Sequence, residues 1–307
     1  MQTILGSGGA VGTELARALT HYTKQIRLVS RNPKKVNPDD ELFPADLTNT
    51  GAIEKAIEGS EIVYVTIAFE YSAKVWKEKW PPFMKSVIEG CKKTGAKLVF
   101  FDNMYMYDPD YLSDMTEETP IRPTSKKGLV RKQVAEMIMN EVEAGRLRAL
   151  IARAPDFIAP KNSVLVINVY ENLVKGKKAV WVSSFDKIHN FIHFADAGKA
   201  TAMLGNTPDA YNQVWHLPSI SEKLTAKQWV DLFADKMNVK ARTSILPVWM
   251  MPILGIFIPI LKEFPEMAYQ FDRDYFFNSR KFEQRFNYKP ITAEDAVKDI
   301  IKRLQNR

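Results

Sequence analysis

Four glycines lie within seven positions near the start of the chain, a pattern suited to binding a phosphate. The turn comprises Gly6, Ser7, Gly8, Gly9, Ala10, Val11 and Gly12. Glycines let the backbone approach a diphosphate closely, and free N–H groups at a helix N-terminus favour negative charge. An apolar run ending at Leu5 predicts a buried strand before the turn, and residues 11–19 carry apolar side chains at helical spacing. This strand, turn and helix predict a diphosphate site, with an ordinary ligand-free turn as the alternative.

The next residues that bear on a ligand follow the second predicted strand, residues 26–30. In dinucleotide sites, a carboxylate at the end of this strand bonds the ribose 2′-hydroxyl, whereas an arginine accommodates a 2′-phosphate. Ser30 and Arg31 occupy that end here, and the first carboxylate after them is Asp39. Arg31 could instead be only an exposed turn residue. Because the acidic alternative is missing from the expected place, the sequence favours NADP(H) over NAD(H).

Strand and helix patterns alternate with short connections as far as residue 101. Further strands are predicted at residues 41–46, 62–68 and 97–101, and helices at residues 50–57 and 82–93. This alternation predicts an α/β fold with a doubly wound parallel sheet, covered by helices on both faces. Tyr105 and Tyr107 follow the strand at 97–101, at the sheet edge where open α/β folds bind ligands. Each tyrosine could present a hydroxyl to a substrate or simply pack the loop.

The composition disfavours several functional classes. The 307-residue chain is 46% hydrophobic and 26% charged, which is typical of a globular protein, and its net charge of +7 suits an anionic ligand. Basic residues occur as isolated pairs without interleaved aromatics, so no nucleic-acid partner is expected. The four histidines show no metal-ligand spacing, and Cys91, the single cysteine, is expected to be buried. The first residues do not resemble a secretory signal, so we expect a cytoplasmic protein.

Further motifs follow the glycine turn and Arg31 in a characteristic order. They are residues 45–47 (ADL), 65–68 (VTIA), 100–107 (FFDNMYMY), 153–157 (RAPDF), 191–200 (FIHFADAGKA) and 215–218 (WHLP). In this order and spacing, the chain resembles the NAD-dependent epimerase/dehydratase family of the extended short-chain dehydrogenase/reductase superfamily. The resemblance implies a Rossmann-type sheet with a smaller, interleaved C-terminal substrate-binding lobe. Residues 1–158 would bind the cofactor, and residues 159–307 would mainly form the lobe, with some segments returning to the sheet.

The resemblance also implies particular cofactor contacts. Gly6, Gly9 and Gly12 match the three glycines of the family pattern. Asp46 matches the residue that bonds the adenine amino group, and Leu47 matches the residue against the ring. The remaining implied contacts lie along the nicotinamide half: Thr66, Ile67 and Ala68 beside the ribose, and Pro155, Asp156 and Phe157 beside the carboxamide.

The usual proton-transfer residues of the family are replaced in this chain. Family members employ a Ser or Thr together with a Tyr that is followed four residues later by a Lys, and the tyrosine exchanges a proton with the substrate oxygen. None of the eleven tyrosines here has a lysine four positions later. Alignment with the family helix puts Lys127 at the tyrosine position, Arg131 at the lysine position and Asn103 where the serine would be.

These replacements leave two interpretations open. Lys127, which would also contact the cofactor, could act as a general acid or base, since burial or the neighbouring Arg131 would favour the neutral amine. Asn103, also beside the cofactor, can donate to a carbonyl but cannot shuttle a proton. In the alternative interpretation, Tyr105 and Tyr107 pack the loop while Lys127 and Arg131 form a polar helix face.

The most apolar stretch, residues 246–261, is shorter than a membrane-spanning helix and is interrupted by three prolines and a glycine. We expect it to form a lid or wall over an apolar pocket, with Tyr269 and Phe271 as further lining residues. A monotopic membrane contact is not favoured.

Two functions from different classes fit these observations. The first is an NAD(P)-dependent oxidoreductase or epimerase-like enzyme that acts on a small carbonyl or hydroxyl substrate. The second is a non-catalytic redox sensor or regulator that binds a dinucleotide, and a structural scaffold is a third option. The resemblance also allows a homodimer built from helices at residues 80–93 and 130–143.

Overall fold

The computed structural model describes residues 1–306, which divide into two compact units. The first unit comprises residues 1–106, 127–154 and 195–217. The second comprises residues 107–126, residues 155–194 and the chain from Pro218 onward. Each unit therefore combines three separate segments of the sequence.

Seven strands of the first unit form one parallel sheet. They are β1 (Gln2–Leu5), β2 (Ile26–Ser30), β3 (Glu41–Pro44), β4 (Ile62–Val65), β5 (Lys97–Asn103), β6 (Ala149–Ala154) and β10 (Val214–His216). The spatial order is β10-β6-β5-β4-β1-β2-β3, so the direction of winding reverses between β1 and β4. This order confirms the predicted doubly wound, Rossmann-type fold. Such a reversal opens a crevice at the carboxyl ends of the two strands.

Every residue of β1, β4 and β6 is buried, and most of their side chains are apolar, as expected for parallel strands that are covered on both faces. The helices of this unit are α1 (Ala10–Leu19), α2 (Thr50–Ile57), α3 (Ala73–Thr94), α4 (Lys126–Glu143) and α6 (Phe194–Gly205). Cys91 is fully buried in α3, and burial raises the pKa of its thiol to about 12. The cysteine is therefore a packing residue, as predicted.

Helix α3 begins at Ala73, well before the predicted start at residue 82, and it contains Pro81 and Pro82. Proline favours the first turn of a helix, which is why the pattern pointed to residue 82. The earlier turns are held by Trp76 and Trp80, both buried in the core of the unit. Their packing offsets the backbone hydrogen bonds that the prolines remove.

The second unit contains two small parallel sheets. Strand β7 (Asp156–Ile158) pairs with β9 (Phe191–His193), and β8 (Ala179–Val182) pairs with β11 (Thr243–Leu246). Its helices are α5 (Glu171–Val174), α7 (Ala226–Lys236), α8 (Met251–Leu254), α9 (Arg280–Phe286) and α10 (Ala293–Gln305). The predicted N-caps of α7 and α10 are confirmed, because Thr225 accepts from the Gln228 N–H and Thr292 from the Asp295 N–H.

Short helical turns complete the chain. A π-helical turn spans Val166–Tyr170, and 3₁₀ turns span Pro109–Asp114, Pro208–Ala210, Val248–Met250, Pro259–Glu263 and Pro265–Gln270.

Candidate functional site

A cleft of about 560 Å³ lies in the first unit, at the crevice between the ends of β1 and β4. Ten predicted site residues line it together: Gly6, Gly8, Gly9, Ser30, Arg31, Asp46, Leu47, Thr66, Ile67 and Ala68. Six further residues complete the lining: Ala45, Thr48, Phe69, Glu70, Val75 and Lys79. The structure therefore gathers residues from four separate connections of the sheet around one cavity.

Gly6 is the position in the glycine turn that tolerates no side chain. Its φ is +100°, and a Cβ there would lie 2.4 Å from the backbone nitrogen of Ile67. Its N–H donates to the Val29 carbonyl at 2.9 Å, which ties the turn to the end of β2. Gly8, by contrast, lines the cleft, and a Cβ there would meet no protein atom within 4 Å. The turn thus leaves open space above Gly8 for a ligand.

Helix α1 directs its N-terminus at the same turn. Gly9 is the N-cap of the helix. Among the described residues, no side chain caps the helix, and no acidic residue lies in its first turn. The first N–H groups of a helix have no carbonyl partner inside it, and Ala10 and Val11 belong to that first turn. Backbone donors and the positive end of the helix dipole are therefore available to an anion in the cleft.

Ser7 and Gly12 support the turn rather than line its surface. Ser7 is buried, and a Cβ at Gly12 would lie 3.0 Å from both the Gly6 carbonyl oxygen and the Ser7 Cα. Gly12 therefore permits the close packing of helix and turn that the glycine pattern predicts.

We expect Gly6→Ala to lower the free energy of unfolding by more than about 2 kcal/mol, since an alanine would be strained at this φ and would clash with the backbone of Ile67. Gly8→Ala is the matched control and should change stability by less than about 0.5 kcal/mol. Urea unfolding followed by tryptophan fluorescence measures both values. Equal stabilities of the two variants would contradict this account of the turn.

Two cationic side chains border the cleft beside Asp46. Arg31 follows β2, and Lys79 lies in the second turn of α3. The N–H and hydroxyl of Thr48 each donate to Asp46 Oδ1 at 2.9 Å, and these bonds lower the pKa of the Asp46 carboxyl. The charges of Arg31 and Lys79 lower it further. Lys79 was not among the predicted site residues because residue 79 precedes the predicted start of its helix.

Two predicted catalytic residues, Tyr105 and Lys127, border an aromatic cluster in the first unit, and a third, Asn103, bonds the backbone of Tyr105. The Oδ1 of Asn103, at the end of β5, accepts the Tyr105 N–H at 3.1 Å. The half-buried Tyr105 ring stacks on Trp76 at a centroid distance of 6.1 Å. Lys127 is fully buried, with Nζ 4.7 Å from the centre of the Tyr71 ring, and Tyr71 packs edge-on against Trp76. Tyr105 and Lys127 therefore border the same cluster.

Arg131, the fourth predicted catalytic residue, is buried in an ion-pair network. Its Nε lies 2.9 Å from Asp102 Oδ1, although the N–H is not aligned for a hydrogen bond. Arg153 donates to the other oxygen of Asp102 through Nε and Nη2, both at 3.3 Å. One buried carboxylate thus serves two buried guanidinium groups.

Aromatic faces complete the surroundings of Arg131. Its guanidinium carbon lies 4.4 Å from the ring centre of Trp80 and 5.4 Å from that of Trp76. Burial lowers the pKa of the guanidinium and Asp102 opposes the shift, yet the group stays charged because its ordinary pKa is far above neutrality. Arg131, which in one interpretation of the sequence belongs to a polar helix face, is therefore part of the core. Its role in catalysis stays a prediction.

Other predicted site residues belong to the second unit. They are Pro155, Asp156, Phe157 and Tyr107, the last of which is fully buried. His189 Nε2 lies 2.9 Å from Asp156 Oδ2, and the His189 ring is stacked between Tyr275 and Phe271 at 4.5 and 4.9 Å. This partner of Asp156 was not predicted, because the two residues are 33 positions apart and no local motif joins them.

Solved structures of similar fold share the architecture of the chain. A dTDP-glucose 4,6-dehydratase from Bacillus anthracis, in complex with NAD, is 14% identical with a TM-score of 0.79, and the match covers 100% of this chain and 96% of that one. A UDP-glucuronic acid 4-epimerase from Bacillus cereus, in complex with NAD, is 13% identical with a TM-score of 0.79, covering 99% of each chain. An L-threonine dehydrogenase from Cupriavidus necator is 16% identical, with the same TM-score and coverage. The TM-scores and the near-complete coverage show a common fold.

A sequence comparison identifies the family. The model of the NAD dependent epimerase/dehydratase family matches residues 3–216, which is more than half of the chain and includes the glycine turn, Arg31, Asp46 and Lys127. The resemblance seen in the motifs is thereby confirmed. The chain belongs to the NAD-dependent epimerase/dehydratase family.

Proposed function

We propose that the cleft binds NADP(H) in preference to NAD(H). The observation that carries the proposal is the crevice at the end of β1, where Gly6 and Gly8 leave room for a diphosphate and α1 offers free N–H groups. The cations at its rim fit an additional phosphate, because Arg31 follows the strand that faces the adenosine ribose in this fold. Family membership supports a nicotinamide cofactor.

The residues of the cleft can be assigned to successive parts of such a cofactor. Asp46 and Leu47 would contact the adenine, while Ser30 and Arg31 would contact the 2′-phosphate. Thr66, Ile67 and Ala68 would lie beside the nicotinamide ribose. On the family pattern, Pro155, Asp156 and Phe157 of the second unit would contact the carboxamide.

Arg31→Ala should raise the Kd for NADPH about 30- to 150-fold, because the variant loses charge-assisted hydrogen bonds worth about 2–3 kcal/mol. The Kd for NADH should change less than about threefold, since NADH lacks the 2′-phosphate. Lys34→Ala, at an exposed lysine three residues later, is the control for lost positive charge. Equal losses for the two cofactors would contradict the assignment of Arg31 to the phosphate.

We further propose that the protein is an oxidoreductase or epimerase-like enzyme for a small carbonyl or hydroxyl substrate. A nicotinamide cofactor held by these residues would supply the hydride chemistry. Lys127 would give or take the proton at the substrate oxygen, and the Asn103 amide would polarise the carbonyl. Tyr105 and Tyr107 are alternative hydroxyl donors, and Arg131 would maintain the position of α4 through Asp102. The second unit would supply the substrate-binding lobe.

Turnover of a panel of small carbonyl compounds with NADPH tests the enzymatic proposal. At least one compound should oxidise NADPH and yield the corresponding alcohol. Tight NADPH binding without turnover of any panel member would favour the redox sensor, a function supported by the missing Tyr and Lys pair. A homodimer through α3 and α4 also stays a prediction.

A further inference from the structure

An apolar segment, residues 245–260, presents seven large hydrophobic side chains at the surface of the second unit. Phe257 is 83% exposed and Trp249 is 69% exposed. The others are Ile245, Ile253, Ile256, Ile258 and Ile260. The prediction that this stretch forms a wall over an apolar pocket does not hold for these side chains, because they are exposed. Contiguous exposed apolar residues of this size mark an interaction surface.

The backbone of the apolar segment explains why so few of its side chains are buried. Prolines at 247, 252 and 259 divide it into short helical turns, including α8, that cannot merge into one amphipathic helix. Met251 is its one large side chain that is fully buried within the described chain. The segment is thus anchored at Met251 and displays the rest of its apolar residues.

Between Asp235 and Glu263, every charged side chain is positive. Lys240 and Arg242 precede the segment, Lys262 follows it, and all three are exposed. Glu263, which ends the turn Pro259–Glu263, is half-buried, so the exposed charges nearest to the segment in sequence are cations. Such a surface is complementary to a partner that combines hydrocarbon with negative charge.

A second loop places two further lysines beside Arg242. The Arg242 carbonyl accepts the Ala179 N–H at 2.7 Å, and its guanidinium donates to the Gly176 carbonyl at 3.4 Å. These bonds hold residues 240–242 against the exposed Lys177 and Lys178. We call Lys177, Lys178, Lys240 and Arg242 the basic loops. Arg242 directly precedes β11, and the apolar segment begins at Ile245 within that strand, three residues or about 10 Å further on, so the basic loops lie close to the start of the segment.

We propose that the apolar segment and the basic loops together bind the surface of a membrane that contains anionic phospholipids. Phe257, Ile256 and Trp249 would enter the boundary between headgroups and acyl chains, where an indole ring is favoured. The basic loops would contact the anionic headgroups. No helix within residues 1–306 is both long and apolar enough to span a bilayer, and the proposed contact is peripheral.

The charge pattern favours lipid over a second copy of the chain. A two-fold dimer through this surface would bury two surfaces that each carry an excess of positive charge. Like charges across an interface are destabilising. The proposal is independent of the cofactor and of the reaction.

Trp249 makes the proposal directly measurable. The chain has six tryptophans, and the other five, Trp76, Trp80, Trp181, Trp215 and Trp229, are each at most 6% exposed. Full-length protein should co-sediment with phosphatidylcholine vesicles that contain phosphatidylserine, and much less with phosphatidylcholine alone. Brominated acyl chains should quench the protein's fluorescence, and Trp249→Phe should remove that quenching.

Substitutions in the apolar segment and in the basic loops test the contribution of each part of the surface separately. Phe257→Glu and the double variant Lys177→Glu/Lys178→Glu should each lower the vesicle partition coefficient about tenfold or more. Leu129→Glu, at an exposed leucine of the first unit, and Lys34→Glu/Lys35→Glu are matched controls that should bind like the unchanged protein. Absence of binding to the anionic vesicles, or binding without quenching of Trp249, would overturn the proposal. So would a stable dimer that Phe257→Glu dissociates, because a second copy would then cover the segment.

Discussion

Asp102→Asn should lower the free energy of unfolding by about 3–5 kcal/mol, the largest effect on stability that we expect from one substitution in this chain. The Asp102 side chain is fully buried, and its carboxylate is the shared partner of Arg131 and Arg153. Without its charge, two buried guanidinium groups would face each other in a region of low polarity. Urea unfolding monitored by tryptophan fluorescence measures the loss.

A second variant separates lost charge compensation from lost packing. Arg131→Met in the Asp102→Asn background removes one of the uncompensated cations and fills similar space, so it should recover a substantial part of the stability. Asp231→Asn is the exposed control: it breaks the surface pair with Lys227 and should cost less than about 1 kcal/mol. A loss below about 1 kcal/mol for Asp102→Asn would contradict a network whose stability depends on this carboxylate.

Lys127→Met should lower kcat for the best carbonyl substrate by about 10²- to 10⁴-fold, the usual contribution of a positioned proton donor. The methionine fills similar volume in the buried site beside Tyr71 but has no proton to transfer. The Kd for NADPH should rise much less, by at most about fivefold. Stopped-flow or steady-state oxidation of NADPH gives kcat, and calorimetry gives the Kd.

Lys126→Met is the matched control for Lys127. Lys126 is the exposed neighbour, and its contact with Glu266 is made by its backbone N–H, which the substitution retains. Its kcat should equal that of the unchanged protein. If Lys127→Met retains full kcat, the proton comes from another group, with Tyr105 as the next candidate. If Lys127→Met fails to fold, Lys127→Gln provides a polar replacement for the same comparison.

Local patterns predicted the parts of the fold that depend on neighbouring residues. The glycine turn is recognisable from the sequence because its glycines directly precede the start of α1, although contacts with Val29 and Ile67 hold Gly6 in place. The Thr225 capping box is likewise formed within four residues. Ten of the predicted cofactor residues line one cleft because the ends of parallel strands meet at one edge of a sheet.

The features that the sequence did not reveal depend on distant contacts. Helix α3 starts early because Trp76 and Trp80 pack into the core, and this shift adds Lys79 to the cleft. Arg131 looks like a surface residue in the helix pattern, but Asp102, 29 positions earlier, pairs with it in the interior. Neither contact has a signature at short sequence separation.

The central claim is that the cleft at the glycine turn holds NADP(H), and calorimetric titration of the unchanged protein and of Gly8→Val with NADPH tests it most directly. A Cβ at Gly8 meets no protein atom, so the valine should leave the fold intact and obstruct only a ligand that approaches the turn. We predict saturable binding of one NADPH per chain for the unchanged protein and no detectable binding for folded Gly8→Val. Absence of binding of both NADPH and NADH to the unchanged protein, or equal affinity in the valine variant, would contradict the claim.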